Sequence, residues 1–220
     1  MSGVSRPVVP AAAQRVGGLL LPRTVAGHPA LELCNSLAGW GEDGPGEYLT
    51  TYDHLAVWSA TVGLVPTATV RRLRRAAAQA PDRAAAVLGD GRALRADLYA
   101  ALTRPRPPRP ALDRLTERVR DAGAASRVGW SRSAGLGLDP GSESLDLPVR
   151  AFANAARRLV EDGLAGRVRR CPGAGCGWLF LDEGRGRRWC VMAICGNREK
   201  ARRHAARQRT GGRKSLPWPR

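Results

Sequence analysis

Four of the five cysteines of this 220-residue chain, Cys171, Cys176, Cys190 and Cys195, fall in the spacing C-x4-C-x13-C-x4-C. No other feature restricts the fold as tightly. Two short-range thiol pairs joined by a hairpin-length stretch can close a tetrahedral site of soft ligands at about 2.3 Å from one ion, and the chain between them must then fold around that ion. In that stretch "WLFL" and "RRWC" flank "DEGRG", which reads as a β-hairpin with its turn. Trp178, Phe180 and Trp189 would supply a small apolar core, with the metal replacing the mass that so short a module lacks. Four thiolates fill the coordination sphere, which points to a structural Zn2+ rather than a catalytic ion with an open position for water. An iron–sulfur cluster is the alternative metal centre. Cys34 has no partner in the pattern and reads as a small buried residue.

Disulfides are the other use of paired cysteines, and the compartment weighs against them. The apolar N-terminal stretch "VVPAAAQRVGGLLLP" is broken by Pro10, Gln14 and Arg15, so it is neither a signal peptide nor a membrane span. A cytoplasmic location without a membrane partner is expected, and reduced thiols there hold metal.

The charge is concentrated where the cysteines are. The chain has a formal net charge of +17, and residues 166–220 hold 15 Lys and Arg against 3 acids. Clustering of this kind implies a polyanionic partner, nucleic acid first. After Cys195, Gly196 permits close backbone approach to the metal, Asn197 is a favoured helix N-cap, and a helix is expected from about Arg198. Its Ala201, Ala205 and Gln208 share a side that could pack on the module, while Arg198, Arg202 and Arg209 occupy one flank and Lys200, Arg203 and Arg207 another. Arg185, Arg187 and Arg188 in the hairpin, with Arg213 and Lys214 in the tail, extend this candidate nucleic-acid surface. Arg198 has two readings at this level: a contact to nucleic acid, or an ion pair with Asp182 that ties helix to hairpin.

The stretch "CPGAGCGWLFLDEGRGRRWCVMAICGNREKARRHAAR" resembles the CGNR zinc-finger family, named for the tetrapeptide that stands here as Cys195, Gly196, Asn197 and Arg198. The matching features are the first cysteine pair, Trp178, Phe180 and Asp182, the run from Arg187 to Met192, and the end at Lys200. One departure is "DEGRG", where family members often carry Ser or Thr soon after the aspartate. The preceding "PALELCNSLAGW", "YLTTYDHLAVWSATVGLV", "ALRADLYAAL" and "VRAFANAARRLV" are similar to the ABATE domain, usually joined to this finger in bacterial proteins described as stress-induced transcription regulators. The resemblance implies a treble-clef-like finger with a basic C-terminal helix.

The residues ahead of the finger read as an α+β domain, predominantly helical with a small hairpin or sheet. "VGGLLLPRTVAG" suggests one or two strands, and "HPALELCNSLAGW" a short helix. In "YLTTYDHLAVWSATVGLVP" Thr50 is a candidate N-cap, with Leu55, Trp58 and Val62 at helical spacing and Gly63 as terminator. Helices continue through "ATVRRLRRAAAQA" and "PDRAAAVLGDGRALRADLYAAL", where Gly89 and Gly91 weaken the middle. "TRPRPPRP" forms a loop inside the domain, "ALDRLTERVRDAG" another helix, "SRVGWSRSAGLGLDPGSESLDLP" a hairpin, and "LPVRAFANAARRLVEDG" a last helix. The organisation expected is a flexible start over 1–16, a domain over 17–165, the finger over 166–210 and a flexible basic tail over 211–220.

Taken together these features predict a DNA-binding transcription regulator, possessing one structural Zn2+, whose N-terminal domain senses a small-molecule effector or forms a homodimer. An RNA-binding or ribosome-associated module shares the same charge and is the first alternative. The second is an enzyme with its site in the N-terminal domain and a purely structural finger. No catalytic constellation is readable, because His28, His54 and His204 are isolated and no phosphate-cradling glycine loop is present. Asn35, Asp53 and Trp58, polar or aromatic on otherwise apolar helices, are the candidates for lining a ligand pocket.

Overall fold

The computed structural model describes residues 12–40, 46–131, 135–139, 144–184 and 186–211. Arg185, Arg213, Lys214 and most of the expected terminal arms lie outside the described residues.

The chain enters through an antiparallel hairpin of β1 (Ala13–Val16) and β2 (Leu19–Pro22). Gly17 and Gly18 turn it with φ of 56° and 85°, the two consecutive positive values that a tight hairpin turn demands. Residues 13–16, expected in a flexible start, are therefore held as a strand, with Ala13 and Leu21 buried. Helix α1 (Pro29–Cys34) follows, with His28 Nδ1 accepting the Ala30 N–H at 3.2 Å and proline at the first position, where its missing N–H costs nothing. A short ladder pairs β3 (Leu37–Ala38) with β4 (Gly46–Glu47).

Helix α2 (Tyr52–Thr61) has Thr51, not Thr50, as its N-cap residue. The Thr51 hydroxyl lies 2.8 Å from His54 Nδ1 and makes no capping bond. Helices α3 (Thr67–Gln79) and α4 (Pro81–Thr103) come next, and α4 runs unbroken through Gly89 and Gly91. Gly91 is a packing residue: a Cβ there would stand 3.0 Å from Leu55 Cδ2 on α2. The proline-rich loop returns the chain to α5 (Arg109–Ala125), which packs on α4, so the loop lies inside the domain as expected. The hairpin of β5 (Arg127–Ser131) and β6 (Gly135–Asp139) pairs Trp130 with Leu136.

Helix α6 (Leu147–Glu161) is the centre of the molecule, buried along most of its length and packed on α1, α2, α4 and α5. Phe152 joins Leu55, Trp58, Leu73 and Leu94 in the main core, each contributing about 1.5–3 kcal/mol through burial. Buried Arg95 and Asp97 both find counter-charges. Arg95, on the apolar flank of α4, forms two bonds of 2.7 and 2.5 Å to the Glu47 carboxylate, and buried Asp97 holds Arg114 and Arg118.

The four-cysteine module begins with β7 (Val168–Arg170), antiparallel to β8 (Leu179–Leu181). The sequence reading had "WLFL" pair forward across "DEGRG" with "RRWC"; β8 instead pairs backward with the residues ahead of Cys171, and residues 186–191 form no strand. The backward partner wins because the Cys171–Cys176 knuckle is itself the hairpin turn, with the Cys171 N–H donating to Trp178 O at 2.7 Å. A wide helical turn, Met192–Gly196, then runs straight into α7 (Asn197–Gly211). Asn197 is consequently helical rather than an N-cap, and its side chain donates to Ala193 O. Residues 201–209 are exposed on every side of α7. Ala201, Ala205 and Gln208 are thus left exposed rather than packed on the module, because the helix leaves the body after its first turn and two methyl groups offer too little apolar area to hold it back.

Candidate metal centre and its basic helix

The knuckle between β7 and β8 supplies Cys171 and Cys176; the turn preceding α7 supplies Cys190 and Cys195. All four Sγ atoms lie within 4.8 Å of one another, with Cys176–Cys190 at 3.5 Å and Cys190–Cys195 at 3.6 Å. A tetrahedral ion with four thiolates at about 2.3 Å has sulfur–sulfur edges of about 3.8 Å, so the cage fits one such ion. It leaves no room for a multi-iron cluster. Cys171, Cys190 and Cys195 are buried and Cys176 is half-buried, and none forms a disulfide. Hydrogen bonds from the neighbouring thiols hold Cys171 well below the usual thiol range, and the same neighbours push Cys176 and Cys190 up; a cation removes that competition by taking all four as thiolates.

The glycines of the knuckle answer to close approach. A Cβ on Gly173 would stand 3.2 Å from Cys195 Sγ, and one on Gly177 would meet Trp40 Cβ at 2.8 Å. The second contact shows how closely the helical domain grips the module. Trp40 stacks on Tyr99 with centroids 3.7 Å apart, Tyr99 Oη donates to Gly177 O at 2.8 Å, and Trp178 Nε1 donates to Leu37 O at 3.0 Å. Trp178 and Phe180 are buried as expected, whereas Trp189 is only half-buried.

The candidate basic residues divide into two groups. Arg187 is structural: its guanidinium lies 4.5 Å over the Phe180 ring and donates to the carbonyls of Val25, Trp189 and Cys190. Arg198 also turns to its own protein, donating to Ala174 O at 3.4 Å and to Cys195 Sγ at 3.7 Å. Its partner is the thiolate cage, not Asp182, whose Oδ1 accepts the Gly184 N–H. Such N–H···S bonds offset the two surplus negative charges of a four-thiolate Zn2+ site. Arg188, Lys200, Arg202, Arg203, Arg207 and Arg209 are exposed, with Arg203 3.7 Å from Glu199.

The three candidate pocket residues do not converge. Trp58 is fully buried in the main core and donates to Glu32 O; Asp53 pairs with Arg74 at 2.7 Å on the surface. Asn35 is fully buried, its Oδ1 accepting the Leu179 N–H at 2.8 Å and its Nδ2 donating to Leu179 O at 2.9 Å. It therefore acts as an extra strand residue for β8. Residue type gave no sign of this clamp, nor of Trp40 and Tyr99, because Asn35 and Tyr99 act on backbone, and Trp40 on an aromatic ring, that is distant in sequence.

Comparison with protein families sets this geometry in context. Residues 27–167 match the ABATE family, described as "Putative stress-induced transcription regulator". The chain belongs to the ABATE family. Residues 167–208 match the CGNR zinc finger, which identifies Cys171, Cys176, Cys190 and Cys195 as the ligands of one Zn2+. A comparison with curated proteins found no match. No described helix of this ABATE-family chain is long and apolar enough to cross a membrane.

Proposed function

We propose that this ABATE-family protein is a DNA-binding transcription regulator rather than a catalyst, with α7 as its recognition element. The observation that carries the reading is the helix itself: Zn2+ anchors its first turn, residues 201–209 are exposed, and its exposed polar surface is dominated by Arg and Lys. A projecting cationic helix of this kind suits the major groove, where phosphates neutralise its flanks and Arg can read guanine. Arg188, Lys200, Arg202, Arg203, Arg207 and Arg209 are the phosphate contacts; Arg187 and Arg198 hold the finger together.

Two features of the helical domain support its proposed roles. A groove of about 450 Å3 between α4, α5 and α6, lined by Asp90, Arg114, Glu117, Arg118, Asp121 and Arg150, is of a size to admit a small polar effector. The β5–β6 ribbon exposes Val128, Trp130 and Leu136, an apolar face that favours a homodimer.

Titration of a labelled duplex across salt concentrations tests the central claim. Six neutralised phosphates give a slope of log K against log salt of about −5, and replacing Arg202, Arg207 and Arg209 with Ala brings it to about −3. A flat salt dependence, or RNA of the same sequence competing better than DNA at matched salt, would overturn the reading.

A further inference from the structure

Against the first turns of α7 lies a cavity of about 380 Å3 whose chemistry differs from the rest of the basic face. Arg188, Lys200 and Arg203 line it together with Trp189 and Met192. Trp189 is half-buried and Met192 is 49% exposed, one of the few large apolar side chains left open among the described residues. Gly196 makes this arrangement possible. A Cβ there would collide with Met192 Sδ and stand 3.2 Å from Trp189 Cδ1, so the absent side chain is what lets the thioether fold back beside the indole.

Phosphate binding requires none of this apolar surface. A thioether and an indole left open among cations match a ligand that joins a flat apolar body to an anion, and the volume lies within the range of small-ligand pockets. Within a nucleic acid, that unit is a nucleotide whose base has left the stack. Paired B-form DNA shows proteins its base edges and phosphates while the faces of its bases stay covered by their neighbours.

We propose that this cavity receives one unstacked base of the bound DNA, with the base against Trp189 and Met192 and its flanking phosphates on Arg188, Lys200 and Arg203. The inference rests on the proposed DNA binding and adds a preference to it: DNA with an unpaired base is favoured over the fully paired duplex. Arg203, which lines the cavity, also stands 3.7 Å from Glu199 one turn back along the helix.

The test uses the full zinc-loaded chain and two fluorescent duplexes of one sequence, fully paired or carrying a single unpaired nucleotide. Their affinities are measured by anisotropy for the unaltered protein, Met192→Ala and Met192→Leu, each first shown to hold one equivalent of Zn2+. Stacking on this scale predicts about tenfold tighter binding to the unpaired site. Met192→Ala should reduce that preference to within about twofold while binding the paired duplex as before, and Met192→Leu, which keeps an apolar wall, should retain it. Equal affinity of the unaltered protein for both duplexes, or an undiminished preference in Met192→Ala, would overturn the base pocket and leave DNA binding standing. Failure to bind either duplex would instead overturn the DNA reading on which it rests.

Discussion

Glu32 shows what a single residue contributes at the junction of the two modules. It lies on α1, 4% exposed, with Oε1 accepting the Ala26 N–H at 2.6 Å and Oε2 unpartnered among the described residues. The loop it holds is the one on which the finger docks: Ala26 O accepts the Leu181 N–H and Val25 O accepts from Arg187. Burial pushes its carboxyl up to about 7 from 4.5, against the pull of the Ala26 amide and the Arg187 charge. Because the folded value lies above the unfolded one, the protonated form is the stabilising one. Its contribution is complete below about pH 4.5 and is lost as pH rises through about 7, on the order of 3 kcal/mol at most. Glu32→Gln keeps the acceptor without the charge. Urea midpoints from pH 4.5 to 8 should therefore fall in the unaltered protein relative to the variant. His28, lowered by burial, acts with the opposite sign in both proteins and cancels in the comparison. A difference between the two that stays constant across pH would contradict this account.

Helix α7 is the element whose stability depends most on what it binds. At 15 residues it sits at the length where an isolated helix is marginal in water, and Arg203 and Arg207, four apart, place like charges on one face. Phosphates would neutralise that repulsion. Far-UV circular dichroism should accordingly show helix content rising by about two turns on addition of duplex DNA, and rising less in a chain that ends at residue 200. Unchanged ellipticity with DNA bound would mean that the helix is already fixed without its partner. This helix and the zinc ligands were legible in the sequence because their signals are local: thiol spacing and the run of bases. The partner of β8 was not. "DEGRG" carries the stronger turn signal, whereas the turn that forms is the knuckle closed by Cys171 and Cys176, which residue type marks only as a metal site. The roles of Arg187 and Arg198 were hidden for a related reason, since a carbonyl cage or a thiolate aimed at a guanidinium leaves no mark in residue type. Gly91 misled in the opposite direction, weakening the expected helix while serving its contact with Leu55.

At the scale of the whole molecule the finger and the helical domain are joined as one core. Leu179 and Leu181 of β8 pack with Ala26, Leu31, Leu98 and Leu159, while the opposite side of the strand turns Phe180 to the cysteine cage. Alternation along three residues thus gives the strand one face in each module. A small zinc module ordinarily depends on its ion for most of its stability. Here the ion also holds the strand that completes the helical core, so its removal should be felt far from the thiols. Thermal unfolding followed by helix content should shift to lower temperature on chelation, and Zn2+ release from the unaltered protein should coincide with loss of the helices. Asn35→Ala separates the two modules at their firmest polar contact. It leaves the buried N–H and C=O of Leu179 without partners, at a cost of about 2–4 kcal/mol. In that variant metal release, read with a chromophoric chelator, should precede helix melting, because the knuckle can open without unpacking α1 and α6. A helical domain that melts at the same temperature with and without Zn2+ would show the modules to be energetically separate, whatever their contact.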